Sequence, residues 1–489
     1  MKMNINTLKK RIIFTLVAFI AISCSDDFVD VTSENESADN YFNSEEEYQQ
    51  ALIGAYDLLQ ATYLNVMIGE IASDNTLAGG ESANDVIGFQ QIDKMSHTPV
   101  NQQFRDVWNW MFAGVNRANY ILQFQDKTDF EGRNEVIAQA RFLRAYYYFE
   151  LVKFFGDVPL FIDKPLEFGE QFDIVRTPRA EVYDQIEADL IFAAENLPAT
   201  QAQTGRITSG AANALLGKAY LYQEQFTEAA ASFEKVISGP YTLAQDYESI
   251  FEPEGENGPG SVFEIQYTDK EGAGFGCLQC SEGNVAVGFN GIRNFTGPIF
   301  GSGFSFNLPV QDVVDAFSEN DIRKDVAILD IDAFANATGA TFIEGFEHTG
   351  YYNRKYLARQ GDLNTGDANL TNPNNYRSIR FADVLLMAAE ANFKKSPPDE
   401  GKAREYLNRV RVRAQLDPVD FVGSILLDQI YIDRRLELVG EGHRFFDLVR
   451  TGRAASEIDG FVAGKHELFP IPAIEIELAG NNWEQNPNY

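Results

Sequence analysis

Apolar side chains recur at three- and four-residue intervals over most of this chain, the period of a helix that buries one face. The first run opens after Ser44, a good N-cap followed by acids at 45–47, and carries Leu52, Ala55, Tyr56 and Leu59 on one side. A second is predicted over 103–123, where Phe104, Trp108, Met111, Val115 and Ala118 form a stripe suited to a core. A third runs over 135–155 and stops at Gly156, with Pro159 just beyond. Leu216, Gly217 and Tyr220, then Ala229, Phe233 and Pro240, match the tetratricopeptide spacing. Small residues at Gly217 and Ala229 let two antiparallel helices approach, and the larger ones fill the groove beside them. A weaker copy occupies 379–413, with Leu386, Ala389 and Asn392 before the breaker 396–401 and Ala403 and Leu407 after it. A last helix is predicted over 424–449. One such pair cannot cover its own faces, so several must stack, and the expected class is mainly α.

Between 241 and 375 the helical period fades, Gly, Asn, Asp and aromatic residues rise, and short runs such as 261–267 read as strands. Loops held on a rigid frame are where a binding surface belongs. Sugar recognition needs flat rings beside amide or charged groups that bond hydroxyls, and Phe275, Phe289, Asn290, Arg293, Phe295, Phe300 and Phe304 supply them. The same rings would equally fill the core of a small sheet, and both uses stay open.

The N-terminus sets the compartment. Lys9, Lys10 and Arg11 precede an apolar run over 12–22 that is too short to span a bilayer, so 1–23 reads as a secretory signal. Ala21, Ile22, Ser23 and Cys24 resemble the lipobox of bacterial lipoproteins, with Ala21 where leucine is usual; an incidental Cys24 in a secreted protein is the alternative. Ser25, Asp26 and Asp27 look like the acidic tag that sends Bacteroidota lipoproteins to the outer face of the outer membrane. Residues 24–40 then form a lipidated tether. No Pro/Ser linker divides the rest, so 41–240, 241–375 and 376–489 are expected to share one compound domain.

Composition excludes several function classes. With 45% hydrophobic and 13% aromatic residues the chain can bury a large core. The formal charge of −32, falling to about −36 without the basic signal, repels nucleic acid and anionic lipid, whereas a neutral glycan meets no such penalty. Cys277 and Cys280 sit among Gly272, Gly274, Gly276 and Gly283, so a loop-stapling disulfide, inert thiols, a zinc half-site and a redox pair are the readings to weigh. The zinc reading lacks a second ligand pair, and a redox motif should open a helix beside a strand. The 72 acids supply countless carboxylate pairs, so a glycosidase reading gains nothing from their presence. His-Glu-x-x-His, Gly-x-Ser-x-Gly and a Walker lysine loop are all absent. No EF-hand spacing calls for calcium, and no cofactor or metal is expected. Glu437, Arg444, Asp447 and Arg450 read as a structural salt-bridge face.

Five segments, in order, resemble signatures of the SusD/RagB family of nutrient-binding outer-membrane lipoproteins. The first is Ala140, Arg141, Phe142, Leu143, Arg144, Ala145 leading to Phe155, Gly156, Asp157, Val158 and Pro159; the second spans Gly205 to Tyr222. The third runs from Ile379 to Ala391, and the fourth joins Arg434, Arg435, Glu437, Leu438, Glu441, Gly442, Arg444, Asp447, Leu448 and Arg450. The tail from Leu468, Phe469, Pro470, Ile471 and Pro472 to Asn486, Pro487, Asn488 and Tyr489 closes the set. The resemblance implies a SusD-like fold of four stacked helix repeats with loops and short strands packed on them. It implies capture of oligosaccharides at the cell surface for a SusC-like TonB-dependent transporter, with no catalytic residues. RagB-like binding of peptides and a surface glycoside hydrolase are the alternatives. Family binding loops add Asp74, Asn75 and Phe89 to the candidates by position, and the regions 74–89 and 277–293 look most like glucan-utilisation relatives, which points to a β-1,3-glucan such as laminarin.

Overall fold

The computed structural model describes residues 40–162, 174–272, 274–363, 365–367 and 369–489. The signal peptide, Cys24 and the tether up to residue 39 lie outside the described residues.

The frame is a stack of helices in chain order. Helix α1 (Glu45–Asp57) is capped by Ser44, whose Oγ accepts the Glu47 N–H, with three acids in the first turn favoured by the helix dipole. It is followed by α2 (Tyr63–Ile71), α3 (Ile87–Asp93), α4 (Gln102–Gln123), α5 (Arg133–Phe155), α6 (Arg179–Asn196), α7 (Ser209–Tyr222) and α8 (Phe226–Ile237). Helix α1 packs on α4, α4 on α5, α5 on α6, α6 on α7 and α7 on α8. Helix α5 is buried on nearly every side, as its Phe142-to-Phe149 run of rings requires. Its Arg144 forks onto Asp189 of α6 with two bonds of 2.8 Å, so the charge it buries is matched. The pair α7 and α8 needs its glycine: a Cβ on Gly217 would lie 2.5 Å from the Phe233 ring.

The chain then leaves the stack. Strand β1 (Thr76–Gly79) came earlier, after α2; the excursion itself carries β2 (Ser261–Ile265), α9 (Val285–Asn290), β3 (Ile292–Arg293), β4 (Ser302–Gly303) and β5 (Phe306–Pro309). It continues through α10 (Gln311–Asp315), α11 (Arg323–Ala327), β6 (Ile328–Asp330), α12 (Ile331–Thr338), β7 (Tyr351–Asn353) and β8 (Tyr376–Arg380). Among the described residues the strands pair in twos: β1 with β5, β2 with β8 and β6 with β7 run antiparallel, and β3 with β4 parallel. The expected strand over 261–267 is β2, while the short helices show that the insert is less strand-like than its composition suggests.

Helix α13 (Phe381–Lys394) rejoins the stack by packing directly on α8, and α14 (Glu400–Arg413) and α15 (Ser424–Leu438) pack on α13. The single helix expected over 424–449 is broken, with α16 (Arg444–Arg450) following a turn at 439–443. Gly440 and Gly442 both hold positive φ, at 82° and 81°, which ends α15. The turn crosses α2 so closely that a Cβ on Gly442 would lie 2.7 Å from the Val66 Cα. Among the described residues no helix is long and apolar enough to cross a membrane.

The salt-bridge face expected at 437–450 is buried, and its partners come from several elements. Glu437 accepts from Arg380 at 2.7 Å and Arg413 at 2.6 Å; Glu441 binds Lys355 at 2.6 Å and Arg380 at 2.7 and 2.8 Å. Arg434 bridges Asp383 and Asp447, and Arg450 forks onto Glu390. Burial alone would raise the Glu437 carboxyl, but Arg413, Arg380 and Arg323 outweigh it and hold it far below the usual carboxylate range.

Glu70 on α2 shows the opposite balance. Its Oε1 accepts the Gly442 N–H at 2.8 Å, while its buried Oε2 has no partner. Burial pushes the carboxyl up to about 7, so the stability it contributes is whole below about pH 4.5 and is lost as the pH rises through 7. Glu70→Gln keeps the acceptor and removes the ionisation. Urea unfolding should find the variant more stable than wild type at pH 8, by up to about 3 kcal/mol, with the difference closing towards pH 4.5. A less stable variant at pH 8 would show that the carboxylate is held by charge instead.

Candidate functional site

Most of the sequence-derived candidates prove to be interior. Asp74 is forked by Arg444, with both bonds at 2.7 Å, and meets Arg435 at 3.1 Å. Burial works to raise this carboxyl, but the two guanidinium groups outweigh it and hold it below the ordinary range. Asn75 is fully buried and its Oδ1 accepts from Arg435 at 2.8 Å. Asn290 is buried with its Oδ1 accepting from Asn307 at 3.0 Å. Phe89 and Phe289 are core rings, 1% and 7% exposed. Phe295 and Phe300 fill a second, smaller core with Leu308 and Tyr352. These side chains hold loops in place, and the geometry gives them no face to offer a ligand.

Phe275 stands at the surface, and Arg293 is half-buried. Phe275 is 58% exposed, and its ring sits edge-on to half-buried Phe304 at 5.9 Å. Its backbone N–H donates to the Asp367 carboxylate at 2.9 Å, tying its loop to 365–367. Cys277 and Cys280 are joined by a disulfide in the same loop, and the turn at Leu278–Cys280 packs on the turn at Gln60–Thr62. Arg293 lies 3.5 Å from Glu81 and 3.6 Å from Asp85 and donates to the Phe304 carbonyl at 3.3 Å, so it clamps the 81–85 loop to the link between β4 and β5.

These rings belong to a longer ladder. Phe304 contacts Phe289 at 5.9 Å, Phe289 stacks on Tyr63 at 6.4 Å, and Tyr63 meets Trp110 of α4 at 6.1 Å. The middle rungs are buried, whereas Trp110, Phe304 and Phe275 reach the surface. Polar groups border the Trp110 end. Gln103 and Asp106 share its face of α4, and Gln102 donates to Asp106 at 2.7 Å. Burial raises the Asp106 carboxyl above its ordinary range. Gly88 of α3 lies tightly against the Gln103 side chain, and its chain neighbour Ile87 is exposed. Trp110 is absent from the sequence-derived candidates. Its signal is the helical period itself, since 103, 106 and 110 lie on the face of α4 away from the buried 104, 108 and 111.

The arrangement offers stacking faces beside amides, carboxylates and a guanidinium. A rigid helical stack presenting such a surface defines a binding scaffold. The family model described as SusD family matches residues 311–466, and one described as starch-binding associating with outer membrane matches 27–221. A solved laminarin-binding SusD-like protein is 34% identical with a TM-score of 0.84, over 92% of this chain and 100% of that one. Surface glycan-binding protein A from Bacteroides thetaiotaomicron, solved with laminarihexaose, is 27% identical with a TM-score of 0.80, over 91% and 100%. SusD-like protein P2 from Formosa agariphila is 27% identical over 525 residues, covering 98% of this chain and 100% of its own. The chain belongs to the SusD family.

Proposed function

We propose that this protein captures oligosaccharides at the cell surface, with a β-1,3-glucan of the laminarin type as its ligand, and performs no chemistry on them. It hands the bound chain to a SusC-like TonB-dependent transporter, and acylation of Cys24 tethers it to the outer membrane. The observation that carries the reading is the ring ladder from Trp110 to Phe275, which reaches the surface at both ends. Sugar faces stack on such rings while neighbouring amides and carboxylates bond the hydroxyls. Two structural relatives bear laminarin or laminarihexaose in their descriptions, and the family is described as associating with the outer membrane.

Calorimetric titration with laminarin oligosaccharides tests this. Phe275→Ala and Trp110→Ala should each weaken binding about ten-fold or more, with little change in the thermal midpoint, since both rings are partly solvated. Unchanged affinity in both variants would remove the ladder from the site. Binding of peptides with no response to any glucan would replace the ligand class, and release of reducing ends would make the protein an enzyme.

A further inference from the structure

Beside the ladder runs a groove that the proposed site does not use. One wall is the segment 199–208; the other follows the edge of β2, whose only strand partner among the described residues is β8 on its opposite side. The groove consists of two adjoining hollows of about 270 and about 400 Å³ that share the Gln203-to-Arg206 turn and Glu264. Gly205, with φ 87°, makes the waist between them: a Cβ there would lie 2.6 Å from the Gln266 side chain. Each hollow alone is near the size of a small-molecule site, and together they form a trough.

Its chemistry is that of a neutral, hydroxyl-rich chain. Gln203 and Thr204 present an exposed amide and hydroxyl, over a floor where the Gln60 and Gln266 amides are held by Glu282, Asn257 and Glu264. Tyr241 with Pro240 and Pro259 gives flat apolar surface in the larger hollow. Asp57, Glu264 and Glu282 oppose a polyanion, and the one arginine of the wall, Arg206, is laid over the Tyr56 ring at 5.2 Å. The groove also starts where the ladder passes. Gln60 donates to the Glu282 carboxylate at 3.1 Å and to the Gln266 carbonyl at 3.1 Å, and its turn leads directly into Tyr63, the second rung. The Leu278–Cys280 turn, which packs on it, follows Phe275 in the same loop.

We infer that this groove holds a second run of glucan subsites, taking up the part of a long chain that extends past the ladder. The inference rests on the glycan-binding reading above, and it makes the protein selective for chain length. Titration of a graded series of β-1,3-glucan oligosaccharides, from trisaccharide to polymer, tests it on wild type, Gln203→Ala and Thr204→Trp. Both positions are exposed, so folding should be kept, and the thermal midpoint checks this. Wild type should gain affinity, about ten-fold or more, as the chain outgrows the ladder. Thr204→Trp should abolish that gain and Gln203→Ala reduce it, while both bind the shortest oligosaccharide as wild type does. Equal affinity of wild type and folded Thr204→Trp for the polymer would overturn the groove proposal and leave the ladder intact. Failure of wild type to bind any glucan would instead overturn the parent reading. An extended polypeptide pairing with the β2 edge is the competing occupant, and peptide binding abolished by Thr204→Trp would favour it over glucan.

Discussion

Glu437→Gln should lower folding stability by about 3–5 kcal/mol, because it strips the counter-charge from a buried cluster and leaves the guanidinium groups in place. Arg380 and Arg413 both bond its Oε1, at 2.7 and 2.6 Å, and Arg323 lies 3.6 Å from its Oε2. The amide oxygen can still accept both bonds but carries no net charge, so it cannot balance three cations away from water. Chemical denaturation at pH 7 measures the loss. Adding Arg413→Met to Glu437→Gln should recover part of it, since removing both partners spares the cost of an orphaned charge. The depressed carboxyl also fixes the sign of the pH effect. Its stabilisation is complete above about pH 4.5 and is lost as the pH falls, so the variant should show a shallower acid limb than wild type. A change below about 1 kcal/mol would mean that the cluster is already balanced by the other acids, Glu441, Asp433 and Asp321.

Phe289→Ala should cost about 3–5 kcal/mol, the range for truncating a buried ring, whereas Phe275→Ala fourteen residues earlier should cost almost nothing. Phe289 is the crossing point of the ring system and touches Tyr63, Phe89, Phe304 and Phe306. Its loss opens a cavity under both surface ends of the ladder, so glucan affinity should fall as well. Phe289→Leu separates the two effects: most of the volume returns and stability with it, while the stacked contact with Tyr63 does not. Thermal midpoints and titrations on all three variants check this. Equal stability of Phe275→Ala and Phe289→Ala would contradict the burial that distinguishes them.

Much of the scaffold was legible in the sequence because its signals are local. The stripe of α4, the stop at Gly156 and the small residue at Gly217 each act within one helix or one helix pair. Helix α2 escaped the same reading for a physical reason: all nine residues from Tyr63 to Ile71 are buried, so no polar face marks a period. The apolar rhythm across 424–449 concealed a break that two positive-φ glycines impose. At the site, composition located the ring-bearing insert but could not sort its rings. Phe275 and Phe289 are the same residue type in similarly Gly-rich surroundings, and only tertiary packing exposes one and buries the other. Asp74 looked available for a hydroxyl until Arg444, 370 positions away in the chain, took it.

Because α8 packs directly on α13, the chain between them departs and returns at neighbouring points. Length changes in its exposed loops would disturb the stack little, since closing a longer loop adds only about 0.6 kcal/mol per doubling, whereas Arg323, Lys355 and Phe289 lie in the buried interior and tie the excursion to the frame. Trp110 and Tyr63 stay behind on the helices, whereas Phe304 and Phe275 travel with the excursion. On the proposed reading the stacking surface is thereby divided: its Trp110 end belongs to the frame, and its Phe275 end to an exposed loop that can change without touching the buried rings.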